Sequence, residues 1–522
     1  MKHPRLGSTI AVVALCGLLV NAATAQEAIT GVRYGRLVIR GAMLVDGLGT
    51  PARGPLDIVI EGDTISELVP VDPVSLAGRR GSEAGEEPAP PQKADRVIEA
   101  QGMYVLPGFV DMHSHIPEGR VVPAGDRGRQ YAYNLWLAHG VTTVRDVGSG
   151  AGLDVLANDK RRAAANEIAA PRIVAYAGWR GIGGAEGGFP TRAAIRARLE
   201  GYKKAGAEGI KVFGPTYTNL LNLLCEEARA LGMGVAIHVA VGQVDAVSAA
   251  RAGVNTIEHW YGIPDAAIPG VQRFPADYNF LNELDRFRYA GKLWREADPA
   301  ALRQVMDVLL EQGTVLDPTF VAYEANRDLV RAQNLPWYPG YALPVMIEYW
   351  KPNPAHHGSY HYEWTTDDEV SWRENFQLWM AFVREFWRRG GKLTVASDPG
   401  GSFGLFGFTY VREMELYREM GLDPINIIEA ASTSAARVLG LERLAGGVRA
   451  GALADLVIVD GNPLRDLKVL YGTGVTKLGQ DGKVQRGGGV RYTIKEGVVF
   501  DAHALLKSVE TMVQEARTRA TQ

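Results

Sequence analysis

The sequence predicts an α/β protein: a (β/α)8 TIM-like barrel with a small β-sandwich formed from both ends of the chain. Three observations carry that prediction. Between residues 105 and 445, eight short apolar runs alternate with helical patterns. Continuous apolar runs separated by helices mark parallel strands buried on both faces, and eight such units close a barrel. Segments rich in β-branched residues, punctuated by Gly and Asp, lie on either side, at 26–104 and 446–501. An open doubly wound sheet is the competing architecture, but it normally carries a Gly-x-Gly-x-x-Gly loop after its first strand, and none is found there.

In chain order, Lys2 and Arg5 precede an apolar run from Ile10 to Val20, and Ala23-Thr24-Ala25 follows. This is the layout of a signal peptide over 1–25, so export to the periplasm or beyond is expected. The run is shorter than the ~20 residues that span a bilayer, and the mature form is expected to have no membrane partner. Leu15, before Cys16, is not the small residue a lipid-attachment site would have. Removal of the signal leaves Cys225 as the single cysteine, within a helical pattern, where a buried, inert thiol is expected. A formal net charge of −3 at pH 7 gives no reason to expect a nucleic-acid partner. Residues 72–95 are rich in Pro, Gly and charge and read as a surface loop.

The barrel runs begin at Leu106-Pro107-Gly108-Phe109-Val110-Asp111-Met112-His113-Ser114-His115. The remaining seven fall at 141–146, 172–176, 209–213, 234–239, 256–260, 314–319 and 393–398. Two long insertions follow runs six and seven, near 265–298 and 323–372. Such connections form the active-site face of a barrel. The second insertion is dense in aromatics, including Trp337, Tyr349, Tyr360 and Trp364, and would either wall a pocket or pack on itself or a partner subunit. A helix is expected over 425–439, and a last one over 502–522.

Chemistry concentrates at the ends of these runs. His113 and His115 are two residues apart, so on a strand their imidazoles share a face, as a metal site requires. Lys211, His238, His259 and Asp398 fall within or at the end of runs four, five, six and eight. Uncommitted polar groups in apolar runs are costly to bury, so six such residues at matching strand ends point to a metal centre. Lys211 is the odd member, because an ammonium does not bind metal. Near cations and buried, it would be driven towards a neutral amine, which can take up CO2 as an anionic carbamate. The alternative is an ion pair with Glu208 or Asp398.

The 106–115 stretch, Gly140-Val141-Thr142-Thr143-Val144-Arg145-Asp146 and the segment from Gly451 to Pro463 resemble the metal-dependent amidohydrolase superfamily. The likeness runs over about 37–512 and is greatest to the exported branch related to imidazolonepropionase and to Xaa-Pro and Xaa-Arg dipeptidases. The resemblance implies two divalent metal ions, zinc-like, sharing a CO2-derived carbamate on Lys211 and a bridging hydroxide. His113, His115 and Asp398 would hold one ion and His238 and His259 the other, with Asp398 moving the proton. The substrate would be a small-molecule amide, such as a dipeptide or N-acyl amino acid, and a homo-oligomer is expected. A cyclic amidase of the dihydroorotase or hydantoinase type shares the lysine. A mononuclear deaminase or imidazolonepropionase-like ring hydrolase lacks it.

The resemblance departs at 181–188, where relatives carry Gly-Gly-His and this chain has no His. Substrate contacts are expected from Tyr217, just past run four, and Arg180, just past run three. Arg180 would fork onto a carboxylate or form a surface ion pair. Asp111 and Glu258 are expected to orient metal ligands, and His139 to be structural. His356, His357 and His361 are expected to be solvated loop residues rather than a third metal site.

Overall fold

The computed structural model describes residues 31–72, 94–148, 150–180, 190–214, 216–239, 244–268, 282–356, 358–442 and 445–521. The expected signal segment and most of the 72–95 loop lie outside these residues.

The barrel strands are β1 (Phe109–Ser114), β2 (Val141–Val147), β3 (Arg172–Arg180), β4 (Gly209–Phe213), β5 (Gly234–His238), β6 (Thr256–Glu258) and β7 (Val315–Asp317). They pair in sequence order, all parallel. Run eight closes the ring with single hydrogen bonds instead of a regular ladder. Thr394 N donates to Leu316 O on one side, and Met112 N donates to Val395 O on the other. Asp398 N then donates to His113 O at 2.8 Å, which fixes the site's last residue against its first. Gly209 and Gly234 open β4 and β5 because a Cβ at either would overlap the Tyr176 side chain inside the barrel.

The flanking segments form a nine-stranded sheet drawn from both chain ends, beside a two-stranded sheet of Val475–Leu478 and Val484–Gly487. The nine-stranded sheet folds over its own core of residues such as Leu37, Ile58, Leu456 and Ile494. Its last strand, Thr64–Pro70, returns to the C-terminal segment through a Thr64–Leu453 bridge. The expected sandwich is thus a sheet curled back on itself. Strand Tyr104–Pro107 belongs to this sheet, and β1 follows after Gly108 alone. A Cβ at Gly108 would strike Thr142, so the Leu-Pro-Gly motif is where the chain crosses closely from one sheet to the other.

The second insertion carries short helices between Glu324 and Tyr349 and then an irregular stretch, and the long helix Thr366–Arg388 begins within its end. That helix starts on a capping box between Thr365 and Asp368. Most of the insertion's aromatics pack inward: Tyr338, Tyr349, Trp350 and Tyr360 are all buried. The expected helix over 425–439 forms with a π-helical segment at Ala430–Ser434. The final helix spans Ala502–Ala520. Among the described residues, no helix is long and apolar enough to cross a membrane.

Candidate metal centre and active site

All six strand-end residues line one cavity of about 500 Å³ at the C-terminal mouth of the barrel. Alternation along β1 gives His113 and His115 one face, with ring centroids 5.3 Å apart. His113 is buried and His115 is half-buried. Asp398 sits between the imidazoles. Its Oδ1 is 3.8 Å from His113 Nε2 and 3.5 Å from His115 Nε2, and its Oδ2 is 3.9 Å from His259 Nε2. Donor atoms of His113, His259 and Asp398 all lie within 4.8 Å of one another, close enough to share one ion. The His238 ring stands 4.9 Å from that of His259.

Backbone strain helps to assemble this group. His259 has φ 63° and Asp398 φ 44°, both in the left-handed region that non-glycine residues seldom adopt. At His259 the turn breaks the strand's alternation. Glu258 and the following His259 can then both contribute to the centre. Strain of this kind persists where the surroundings over-determine it, commonly at functional sites.

The tautomers follow from the hydrogen bonds. His113 Nδ1 donates to Glu258 Oε2 at 2.5 Å. The Thr319 hydroxyl donates to Pro318 O, so His259 Nδ1 is the donor in its contact with that oxygen. Both rings therefore turn an Nε2 lone pair to the cavity, the arrangement of a metal-ligating imidazole. Burial pushes the pKa values of His113 and His259 down and that of His115 to about 3, which keeps the rings neutral.

Beneath the imidazoles lies a charged layer. Glu258 also accepts from Arg145 Nη2 at 2.8 Å and from Thr256 Oγ1 at 2.6 Å. The same Arg145 nitrogen reaches Asp317 at 2.7 Å. Burial raises both carboxyls. Arg145, Lys211 and His113 outweigh it at Glu258 and hold that group well below the usual range, whereas Asp317, beside ionised Glu258, is pushed up. Asp111 is fully buried and receives Ser397 Oγ, Ser397 N and Trp136 Nε1. Burial lifts its pKa to about 7 against those bonds. Glu258 orients the His113 ring, as expected; Asp111 meets no candidate ligand's ring among the described residues and instead ties run eight to β1. Arg145 was not anticipated. Its signal is a charge inside an apolar run, masked by neighbouring Asp146, which reads as the end of the strand.

Lys211 is 3% exposed, and its Nζ has no hydrogen-bond partner among the described residues. Glu208, one proposed partner, pairs instead with Lys160 and accepts from Ala175 N. The carboxylate that Lys211 approaches is Glu258, at 3.8 Å. Burial lowers its pKa to about 8. An orphaned amine facing four imidazoles and a carboxylate fits a site that holds divalent ions.

The expected substrate contacts fare differently. Tyr217 occupies the N-cap position of the helix Thr218–Ala230, is half-buried, and is not among the described residues that line the cavity. Arg180 ends β3, but its side chain, like residues 181–188, lies outside the described residues. His361 is not a solvated loop residue. It packs against Tyr360 and Trp364, its Nε2 meets Asn326 Oδ1 at 2.8 Å, and burial lowers its pKa to about 3. His356 stacks on Tyr349, and His357 lies outside the described residues. His139 is structural, buried with Nδ1 donating to Leu135 O. The cavity wall that the strand-end pattern does not reveal comes from the insertions: Arg286, Phe287, Tyr323 and Tyr360.

A closed parallel barrel with imidazoles, a lysine and an aspartate at its mouth defines a hydrolase scaffold able to hold metal. The Amidohydrolase family profile matches residues 104–499, and the chain belongs to that family. The Paracoccus denitrificans adenine deaminase is 34% identical over 101 residues, 18% of this chain and 15% of the deaminase. The chain thus spans under a fifth of the length of the curated deaminases it matches. A crystal structure of a Xaa-Pro dipeptidase with methionine in its active site superposes with a TM-score of 0.59 at 21% identity, covering 89% of this chain and 100% of that one. Bottromycin amidohydrolase gives a TM-score of 0.62 at 19% identity, covering 92% of this chain and 90% of that one. At such identities the likeness bears on the fold.

Proposed function

We propose that the protein is an exported, binuclear metal-dependent hydrolase that cleaves amide bonds of dipeptides or N-acyl amino acids. One observation carries the reading: His113, His115, Lys211, His238, His259 and Asp398 converge on a single cavity. The names of the solved neighbours, a dipeptidase and an amidohydrolase, support the substrate class. His113, His115 and Asp398 would hold one ion, and His238 and His259 the other, with a carboxylated Lys211 between them. Divalent ions, zinc by preference for this donor set, polarise a carbonyl and lower the pKa of water towards ~7.

The chain's own groups do the rest. Glu258 and Thr319 hold His113 and His259 in the tautomer that leaves Nε2 available. Asp398 takes the proton of the attacking water and returns it to the leaving nitrogen, giving a carboxylate and an amine. The aromatic wall excludes solvent from the scissile bond.

The test is metal analysis of the purified mature protein beside Lys211→Ala. About two ions per chain, falling sharply in the variant, support this reading. A second reading, a mononuclear deaminase, is favoured by the tight His113–His259–Asp398 triplet. One ion per chain, insensitive to the lysine, would select it. Export is tested by locating the mature N-terminus, expected near Gln26, and oligomeric state by light scattering, where a multiple of the chain mass is expected.

A further inference from the structure

The cavity has two unlike flanks. Runs four apart in a closed ring of eight face each other across its mouth, so β2 and β3 stand opposite β6 and β7. Among the described residues, the first flank is lined by Val147, Gly148, Gly150 and Gly178. A Cβ at Gly148 would come within 3.1 Å of Gly178 Cα, so the ends of β2 and β3 meet there through bare backbone. The opposite flank is aromatic. Tyr261 follows β6, Tyr323 ends the turn after β7, and the two insertions add Phe287, on the helix Glu283–Ala290, and Tyr360. Charge on this flank is balanced locally, because Arg286 Nη2 donates to Glu283 at 3.0 Å. The candidate ligands on β1, β4, β5 and run eight lie between the two flanks.

The rings are held from behind. Phe287 and Tyr360 stack at 3.6 Å with 7° between their planes. Trp372 Nε1 donates to Phe287 O at 2.7 Å, and the Trp372 ring lies 12° from the plane of Tyr323. Arg288 Nε ties the helix to Asp368 at 3.0 Å. The Tyr360 hydroxyl donates to Asn326 Oδ1 at 3.1 Å, and Asn326 is not among the described residues that line the cavity. The polar tip of Tyr360 is thus turned away, and its apolar ring is left on the wall. Other aromatics of the same insertion, Tyr338 and Trp350, are buried without lining the cavity. Core packing accounts for the stack but not for its placement on one flank of the site. Rings fixed before binding cost little further ordering when a ligand ring packs on them, and ring–ring contact adds to the gain from burial.

We propose that the aromatic flank binds an aryl group of the substrate, beside the scissile amide, while the remainder passes over the glycine flank. A cavity of about 500 Å³ has room for both parts. The inference rests on the amide-hydrolase reading and narrows it to amides that carry an aromatic side group.

The experiment uses the metal-loaded protein with two matched series. The first is N-acetylated phenylalanine, cyclohexylalanine and alanine. The second is alanine acylated with phenylacetyl, cyclohexylacetyl or acetyl. In at least one series the aryl member should exceed the methyl member by at least about tenfold in kcat/KM. It should exceed the cyclohexyl member, similar in size but without a π-face, by about two- to tenfold. That second ratio should fall towards one when both stacked rings are removed, in Phe287→Leu combined with Tyr360→Leu. The wild-type series stand alone should the variant fail to fold. Aryl members no better than methyl or cyclohexyl in both series, or a ratio that survives loss of the two rings, would overturn the inference. The amide-hydrolase reading would stay intact, because the amides are still cleaved. Cleavage of no member by protein with its metal complement would overturn that reading, and the inference with it.

Discussion

Two lysines are buried to almost the same degree. Lys211, in the barrel mouth, is 3% exposed, and Lys495, in the terminal sheet, is 2% exposed. Burial depresses both pKa values to about 8. Their surroundings differ. Lys495 donates to Ala163 O at 2.8 Å, with Asp455 and Glu496 nearby, so its amine ties the terminal sheet to the helix Leu153–Ala164. Lys211 Nζ has no hydrogen bond among the described residues and faces four imidazoles. The depressed pKa therefore does not distinguish function from structure. The hydrogen-bond account separates the two: Lys495 is satisfied by its own chain, whereas Lys211 Nζ, 3.8 Å from Glu258, makes no hydrogen bond among the described residues.

The sharpest way to break this comparison is to remove each amine. Lys211→Ala is expected to lower kcat/KM by about 10³-fold or more and to shed bound metal, while the melting temperature of the metal-free protein stays level or rises as a buried charge disappears. Lys495→Met should leave kcat/KM within about twofold, as expected of a change remote from the transition state. Steady-state kinetics with metal analysis and a melt on both variants checks the pair. A Lys495 variant that lost activity while still folded would erase the distinction.

The second expectation concerns pH. The folded pKa of Lys495, about 8, lies below its ordinary value of 10.5. Between those values the unfolded chain binds more protons than the folded one, so stability should rise with pH across that window. The full gain is of order 3 kcal/mol, at ~1.4 kcal/mol per pH unit. Below pH 8 both states are protonated and the slope from this group vanishes. Denaturant melts from pH 8 to pH 10.5 on wild type and Lys495→Met should show the slope in the first and a flatter line in the second. Parallel lines would mean that Lys495 is not buried as described.

A third measurement moves to the layer under the candidate metal centre. Glu258→Gln keeps the shape but weakens the grip on His113 Nδ1, and it leaves Asp317 as the carboxylate that pairs with Arg145 among the described residues. Groups that orient metal ligands typically cost 10- to 100-fold in affinity or activity when altered, and that range is expected here in a metal-competition assay. An unchanged affinity would show that His113 is oriented by packing alone.

The same division explains what could be read from the sequence. The six convergent residues were legible because each interrupts or ends an apolar run, and regular β/α alternation fixes which end of the barrel such residues occupy. The order of the parallel strands followed from the same regularity. The insertion wall was not legible. Arg286 and Tyr360 sit in segments whose position on the barrel no periodicity of 2 or 3.6 specifies. Their approach depends on tertiary clamps such as Arg288–Asp368 and the Phe287–Tyr360 stack. Tyr217 shows the converse: it follows the end of β4 closely, yet it stands at the N-cap of the helix Thr218–Ala230 and is not among the described residues that line the cavity. His361 shows that an aromatic-rich, polar-looking stretch can bury its histidine when the rings supply the cover.

Cys225 gives the smallest and most discriminating test of the rule drawn from the lysines. It is 1% exposed on the helix Thr218–Ala230, and burial pushes its thiol up to about 12. Its shift is as large as theirs, yet it packs in the apolar core and lines no part of the cavity. A thiol held protonated is a poor nucleophile. Native protein at pH 8 should therefore resist iodoacetamide over hours, while unfolded protein reacts promptly. Cys225→Ala should cost about 1 kcal/mol for a small core deletion and leave kcat/KM unchanged. Prompt labelling of the native state, or lost activity in a folded variant, would place a reactive group where the packing leaves no room for a reagent. The inference from hydrogen-bond account to function would then fail at its simplest case.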